Sequence, residues 1–312
     1  MVSAGLLALL FWLMRDEFRD IWTTISTSSP VFIFLAIGLF LVTVLMLSLR
    51  LKIVFKGENL YISMNEAVQL TYIGYFFNNF MPTAVGGDIV KAHYAANNNK
   101  KRLQSYASVL MDRFIGLYTF LIVAAIALVF DRGRFELKVI RPMVFMFLAV
   151  GVMGFFIVTN KTIARILGSF FRKVKMLGLG QRLSDLYDIV HDYRNRRDVV
   201  VRSILVSMTA QSIYFMVVYL FFISLGKQVG IGNVFLIMPI VTFISMMPSV
   251  GGLGVREGAL VAFFTPLAGK EAAFAASILL LFALLFISLI GGIIYLWWGF
   301  TGVRKKEENL EE

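Results

Sequence analysis

Residues 31–49, 203–225 and 272–302 contain no Asp, Glu, Lys or Arg, and these three stretches limit what the chain can fold into. Each supplies the roughly 20 apolar residues that a helix needs to cross the hydrocarbon of a bilayer. They are apolar on every face and lack the alternation of apolar and polar residues that marks a strand of an outer-membrane barrel. The sequence therefore predicts an all-α integral membrane protein, a polytopic helical bundle, since a spanning helix satisfies its own backbone polar groups. Composition points the same way: 59% of the 312 residues are hydrophobic and 16% are charged, too apolar for an ordinary soluble domain. The chain has no cysteine and two histidines, His93 and His191, so disulfides and thiolate chemistry are excluded and no metal or cofactor is expected. The net charge of +11 fits membrane topology and contact with anionic headgroups better than nucleic-acid binding.

Basic residues cluster in 50–56, 100–102, 161–202 and 304–306, and the positive-inside rule places all four clusters in the cytoplasm. Residues 1–14 then run outward as a short retained span, 31–49 return inward, 105–130 cross outward and 142–159 return. Residues 203–225 lead out and 272–302 lead in, leaving both termini cytoplasmic in a prokaryotic plasma membrane. The external turn at 131–141 carries Arg132, Arg134, Lys138 and Arg141, which runs against the rule. Residues 161–202 hold ten Lys/Arg against four Asp, and Ile163, Ile166, Leu167, Phe170, Phe171 and Val174 recur there at helical spacing. That pattern suits an amphipathic helix lying on the inner leaflet or on the protein's own cytoplasmic face. The acidic tail 307–312 is expected to fray.

Two interrupted segments remain. Residues 66–81 and 85–96, and later 234–247 and 255–264, are each too short to cross, and they flank Pro82-Thr83-Ala84-Val85-Gly86-Gly87 and Pro248-Ser249-Val250-Gly251-Gly252-Leu253-Gly254. The expectation is two re-entrant helical hairpins, about 66–99 and 234–266, entering from opposite sides. Met81-Pro82-Thr83-Ala84-Val85-Gly86-Gly87 and Met247-Pro248-Ser249-Val250-Gly251-Gly252 differ by one inserted residue, and a cation follows each, Lys91 or Arg256. The order span, span, hairpin, span also recurs, in 1–130 and again in 142–302, with 131–141 between them and 303–312 as a tail. This is the pattern of an inverted-topology repeat, whose paired interrupted segments point to a midplane site.

Helix starts at such tips present free N–H groups and a positive dipole end, which suits an anion. The deep ionisable groups Asp88, Lys91, Asp112, Arg113, Arg256 and Glu257 gather near them, and charges at membrane depth usually face a wet cavity or pair with one another. Candidate substrate-binding residues are thus Asn78, Asn79, Gly86, Gly87, Asp88, Lys91, Asp112, Arg113, Gly251, Gly252, Arg256 and Glu257. Each also has a purely structural reading. Asp88 suits a helix cap, Asp112 and Arg113 suit pairs that hold the first hairpin to the helix at 105–130, and Arg256 and Glu257 neutralise one another. Lys91 can snorkel to headgroups, and Asn78 and Asn79 can bond backbone freed by Pro82. The two arginines offer the donor fork that grips a phosphate.

Phe77-Asn78-Asn79-Phe80-Met81-Pro82, Gly86-Gly87-Asp88-Ile89-Val90-Lys91, the block from Ser108 through Asp112-Arg113 to Leu117, and Pro248-Ser249-Val250-Gly251-Gly252-Leu253-Gly254-Val255-Arg256-Glu257-Gly258 resemble the membrane region of the lysylphosphatidylglycerol synthases. The resemblance covers essentially the whole chain. It implies a region that moves aminoacylated lipid between leaflets, while a separate cytoplasmic domain transfers the amino acid from tRNA. The chain ends ten residues after Gly302, without room for that transferase domain, so an enzyme is not expected. The expected function is a flippase or scramblase for an anionic membrane lipid, a phospholipid or a polyprenyl-phosphate-linked lipid. A membrane enzyme acting on a lipid phosphate, a lipid-binding subunit and a small-solute transporter stay open, as does a homo-oligomer. No G-x-x-x-x-G-K-[ST] motif is present, so transport is expected to be passive or coupled to an ion gradient.

Overall fold

A computed structural model describes residues 23–81, 86–99, 101–130, 196–246 and 252–311, with isolated positions between 142 and 193. Every element in it is an α-helix: α1 (Pro30–Gly57), α2 (Met64–Phe80), α3 (Gly86–Asn99), α4 (Arg102–Phe130), α5 (Arg197–Ser224), α6 (Ile231–Ile244), α7 (Val255–Ala268) and α8 (Lys270–Glu311). Four of them, α1, α4, α5 and α8, are long and apolar enough to cross a membrane. The expected spans at 1–14 and 142–159, the turn at 131–141 and the amphipathic stripe at 163–174 lie outside the described residues, apart from isolated positions.

Local chemistry sets the helix boundaries. Pro30 opens α1 in its first turn, where the missing N–H costs nothing. Ser63 and Glu66 form a capping box at the start of α2: Ser63 Oγ accepts from the Glu66 N–H at 3.1 Å and Glu66 Oε2 accepts from the Ser63 N–H at 2.8 Å. At the other end of α2, Met81 is extended at φ −84° and ψ 147°, as the residue before a proline must be to avoid the proline ring. Gly252 and Gly254 hold φ values of 76° and 82° just before α7, a region that residues with a Cβ rarely enter.

Two expectations about the ends of spans are corrected. The span expected at 31–49 stops at residue 49, but α1 continues through Arg50 and Lys52 to Gly57. Arg50 is buried there, with an ionic partner that makes burial tolerable. The tail expected to fray is helical to Glu311, consistent with the strong helix propensity of its Lys, Arg, Glu and Leu residues.

Packing is dominated by α1 lying along α5, with α2 against α8 and α4 against α6. α3 packs on α2 and α4, and α7 packs on α6 and α8. The largest apolar core joins Phe40 and Val44 of α1 to Phe215, Val218 and Phe222 of α5, Ile237 of α6, Phe264 of α7 and Leu280 of α8. Outward-facing side chains on α1 and α8 are large and apolar; Phe34 is 74% exposed and Trp297 69%, as a lipid-facing surface requires. Where α2 meets α8 the backbones nearly touch, and a Cβ on Gly291 would collide with the Tyr72 carbonyl. Backbone cannot yield as a side chain does. Gly291→Ala should therefore lower stability by about 1–3 kcal/mol, read as a lower midpoint of thermal unfolding in detergent. Gly38→Ala, with nothing within 4 Å of the new methyl, should leave the midpoint unchanged or raise it.

Candidate functional site

A cavity of about 300 Å³ lies where the helices converge, and each of the eight contributes at least one residue to its wall. One fixed feature of its wall is a charge pair that the sequence did not indicate. Arg50 Nε and Nη2 donate to Asp112 Oδ1 and Oδ2 at 2.7 and 2.9 Å, and Nη1 donates to Ser207 Oγ at 2.9 Å. Gln211 extends the network, donating from Nε2 to the Gly116 carbonyl at 2.9 Å and to Ser207 Oγ at 3.3 Å. α1, α4 and α5 are thereby tied together by a bidentate carboxylate–guanidinium grip, the strongest form of such a pair. Asp112 does not hold the first hairpin to α4, as expected; its partner is on α1. Consecutive residues on a helix point about 100° apart, so Arg113 turns to α3 instead.

At α3, Asp88 accepts from Arg113 with Oδ2 and from Lys91 Nζ with Oδ1, the latter at 3.3 Å. Arg113 is thus the residue that fastens the α2–α3 hairpin to α4. Lys91 does not reach out to headgroups, because its stem lies against Gly74, where a Cβ would collide with Lys91 Cε. The hairpin closes tightly for the same kind of reason: a Cβ on Gly87 would strike the Gly74 carbonyl, and one on Gly86 would strike Met81. Asn78 Oδ1 accepts from the Gly87 N–H at 2.9 Å, so it satisfies backbone at the start of α3, and it also lines the cavity. Asn79 donates to Ser288 Oγ and stitches α2 to α8.

On the second hairpin, Arg256 Nε donates to Glu257 Oε1 at 3.0 Å, and Glu257 Oε2 accepts from the Gly254 N–H at 2.7 Å. Glu257 is completely buried and caps α7 while neutralising Arg256. Arg256 lines the cavity, and its Nη1 makes no hydrogen bond among the described residues.

Of the residues expected from sequence, Asn78, Asn79, Asp88, Lys91, Asp112, Arg113, Gly252 and Arg256 share this one cavity. Gly86, Gly87 and Glu257 support it from behind, and Gly251 lies outside the described residues. Sequence reasoning missed Arg50, Thr43, Thr71, Gln211, Tyr214, Thr242 and Ser245, which also line the wall. Thr43, Leu47 and Arg50 recur at helical spacing on one face of α1, and that spacing was the available signal. Below Arg50, Tyr193 is fully buried; its hydroxyl donates to the Val54 carbonyl and bonds Ser108 Oγ, each at 3.0 Å. At this point the chain before α5 packs on the protein itself. Burial pushes the Tyr193 phenol well above its ordinary range, so it remains a protonated link between α1 and α4.

The sequence profile of the lysylphosphatidylglycerol synthase TM region matches residues 1–292. The chain belongs to this family. Relatives include a UPF0104 membrane protein of Methanothermobacter thermautotrophicus, 22% identical over 290 residues, with 85% of this chain and 84% of the relative covered. Another is a UPF0104 membrane protein of Pyrococcus horikoshii, 26% identical over 295 residues, covering 85% and 86%. No solved structure matches the chain. Family membership and the four long apolar helices make this a multi-pass membrane protein of lipid-related function.

The pair at the base of the cavity provides a direct test of its energetics. Asp112→Leu should cost about 3–5 kcal/mol by leaving the Arg50 guanidinium buried and unpaired, whereas Arg50→Met combined with Asp112→Leu should recover most of that loss. Urea or thermal unfolding of the two variants in detergent measures the difference, and equal losses in both would show that the pair is not the source.

Proposed function

We propose that this protein moves an anionic lipid, a phospholipid or a polyprenyl-phosphate-linked lipid, between membrane leaflets through the central cavity. The observation that carries the reading is the charge of the cavity. Arg50, Lys91, Arg113 and Arg256 line it, and the carboxylates that meet them among the described residues are Asp88, Asp112 and Glu257. Cations that face a cavity inside a bundle suit an anion that enters it, and a lipid phosphate is the anion most abundant around such a bundle.

Architecture supports movement rather than simple capture. Taking α1–α4 and α5–α8 as equivalent halves, each pair of helices in substantial contact among the described residues has a counterpart pair in contact when the halves are exchanged. α2 on α8 matches α6 on α4, α3 on α4 matches α7 on α8, and α1 on α5 maps onto itself. This favours an inverted repeat whose two re-entrant hairpins meet at the site, the arrangement in which a site can open alternately to either side. The protein sits in this reading in a prokaryotic plasma membrane with both termini cytoplasmic, and transport is passive or coupled to an ion gradient.

The test uses purified protein in sealed liposomes that carry a fluorescent anionic phospholipid in both leaflets, with dithionite added outside. Wild type should bleach well beyond the outer-leaflet fraction, and Lys91→Gln and Arg113→Gln should slow the excess at least tenfold while the proteins stay monodisperse. Wild type that binds a lipid phosphate but never bleaches the inner leaflet would turn the reading into a lipid-binding subunit or a membrane enzyme.

A further inference from the structure

On the side where α1 ends and α4 and α5 begin, the cavity stops within the bundle. Its lining residues run from Thr43 to Leu51 on α1, from Asp112 to Phe120 on α4 and from Ala210 to Tyr214 on α5. Beyond these limits Val54, Ser108 and Tyr193 meet, one turn past Arg50 and Asp112. All three are fully buried, and none of them lines the cavity. Tyr193 is carried by α5, since the N–H of Arg196, the N-cap of that helix, donates to the Tyr193 carbonyl at 3.0 Å. Its hydroxyl supplies a donor that α1 lacks. The Glu58 N–H that would serve the Val54 carbonyl turns instead to the Phe55 carbonyl at 3.0 Å, as happens at a helix C-terminus, and the phenol takes its place. The ring fills the space beside Gly57, where a Cβ would lie 2.9 Å from Tyr193 Cε1. At the rim, Arg196 meets Glu58 at 3.4 Å.

We propose that Tyr193 gates the cavity on this face: it pins the end of α1 to the start of α4 and keeps water from the Arg50–Asp112 pair one turn away. This rests on the reading of the cavity as a passage. The charged pair is expensive to break while it is dry. The two bonds of the Tyr193 hydroxyl are neutral, and water can replace them at little net cost. Water that enters behind a displaced Tyr193 raises the dielectric around the pair and weakens it, so release of the phenol is the step that lets this end of the cavity open.

The absence of cysteine from the chain makes a single introduced thiol a clean reporter. Leu47→Cys places one in the cavity wall. Tyr61→Cys, exposed beyond the end of α1, and Lys227→Cys, exposed beyond the end of α5, identify the two faces of sealed membrane vesicles. A membrane-impermeant maleimide is added to vesicles of each orientation, and the modification rate is read by mass. Adding Tyr193→Phe to Leu47→Cys should raise the rate from the face of position 61 at least about tenfold and leave the rate from the face of position 227 unchanged. Gly57→Ala, which displaces the ring and keeps the hydroxyl, should act in the same direction, and it decides alone if Tyr193→Phe does not fold. Gly291→Ala, which loosens the α2–α8 contact instead, should change neither rate. Rates unchanged by both Tyr193→Phe and Gly57→Ala, an equal rise from both faces, or an equal rise with Gly291→Ala overturns the gate. The thiol is modified without any lipid moving, so the gate can fail while the transport reading stands.

Discussion

The bidentate pair between Arg50 and Asp112 is the interaction on which the rest of the site depends. Removing two charges from water costs several kcal/mol each, and only close geometry with further hydrogen bonds repays it. Here the repayment reaches three helices, because Ser207 and Gln211 of α5 and the Gly116 carbonyl of α4 complete the network. Gly116 matters for its lack of a side chain: a Cβ there would press on Arg50 Nη1 at 3.0 Å. With Asp112 committed to α1, the helical turn of α4 directs Arg113 to Asp88 on α3. One helix therefore holds the fixed wall of the cavity with one residue and the hairpin with the next.

The two interrupted segments each carry a cavity-lining cation, Lys91 and Arg256, but these are wired differently. Lys91 shares its carboxylate with a helix outside its hairpin, so the first tip is coupled to α4. Arg256 is neutralised by its immediate neighbour, and the same carboxylate caps α7 through the Gly254 N–H. A charge entering the cavity competes for Lys91 against a long, shared contact and for Arg256 against a tight local one. The Lys91 contact is accordingly the one that a bound anion would disturb more.

Much of this was legible in the sequence because membrane helices obey simple constraints. Charge-free runs of spanning length gave α1, α5 and α8, and proline with glycine gave the breaks after α2 and before α7. The deep charges were recognisable since Asp88, Asp112 and Arg113 have no reason to sit in apolar segments unless paired or functional. Arg50 was not recognisable in that way. It stands beside Lys52 and Lys56 in a basic cluster, and topology rules assign such a cluster to the aqueous boundary whether or not one member faces inward. Asp112 was seen as a partner in an ion pair, but nothing in its neighbourhood identified the partner, which lies 62 residues earlier in the chain.

The sequence by itself determined the helical membrane class, most helix boundaries, the family and the set of charged residues concentrated at the two breaks, because these follow from local apolarity, backbone chemistry and motif. Tertiary structure alone decided which charges cancel. Ion pairing depends on distances of a few ångströms between segments far apart in the chain, and helical periodicity fixes the direction of a side chain only relative to its own helix. The placement of α1 along α5 and of α3 on α4 converts a list of buried ions, among the described residues, into two bonded pairs and one shared carboxylate around a common cavity.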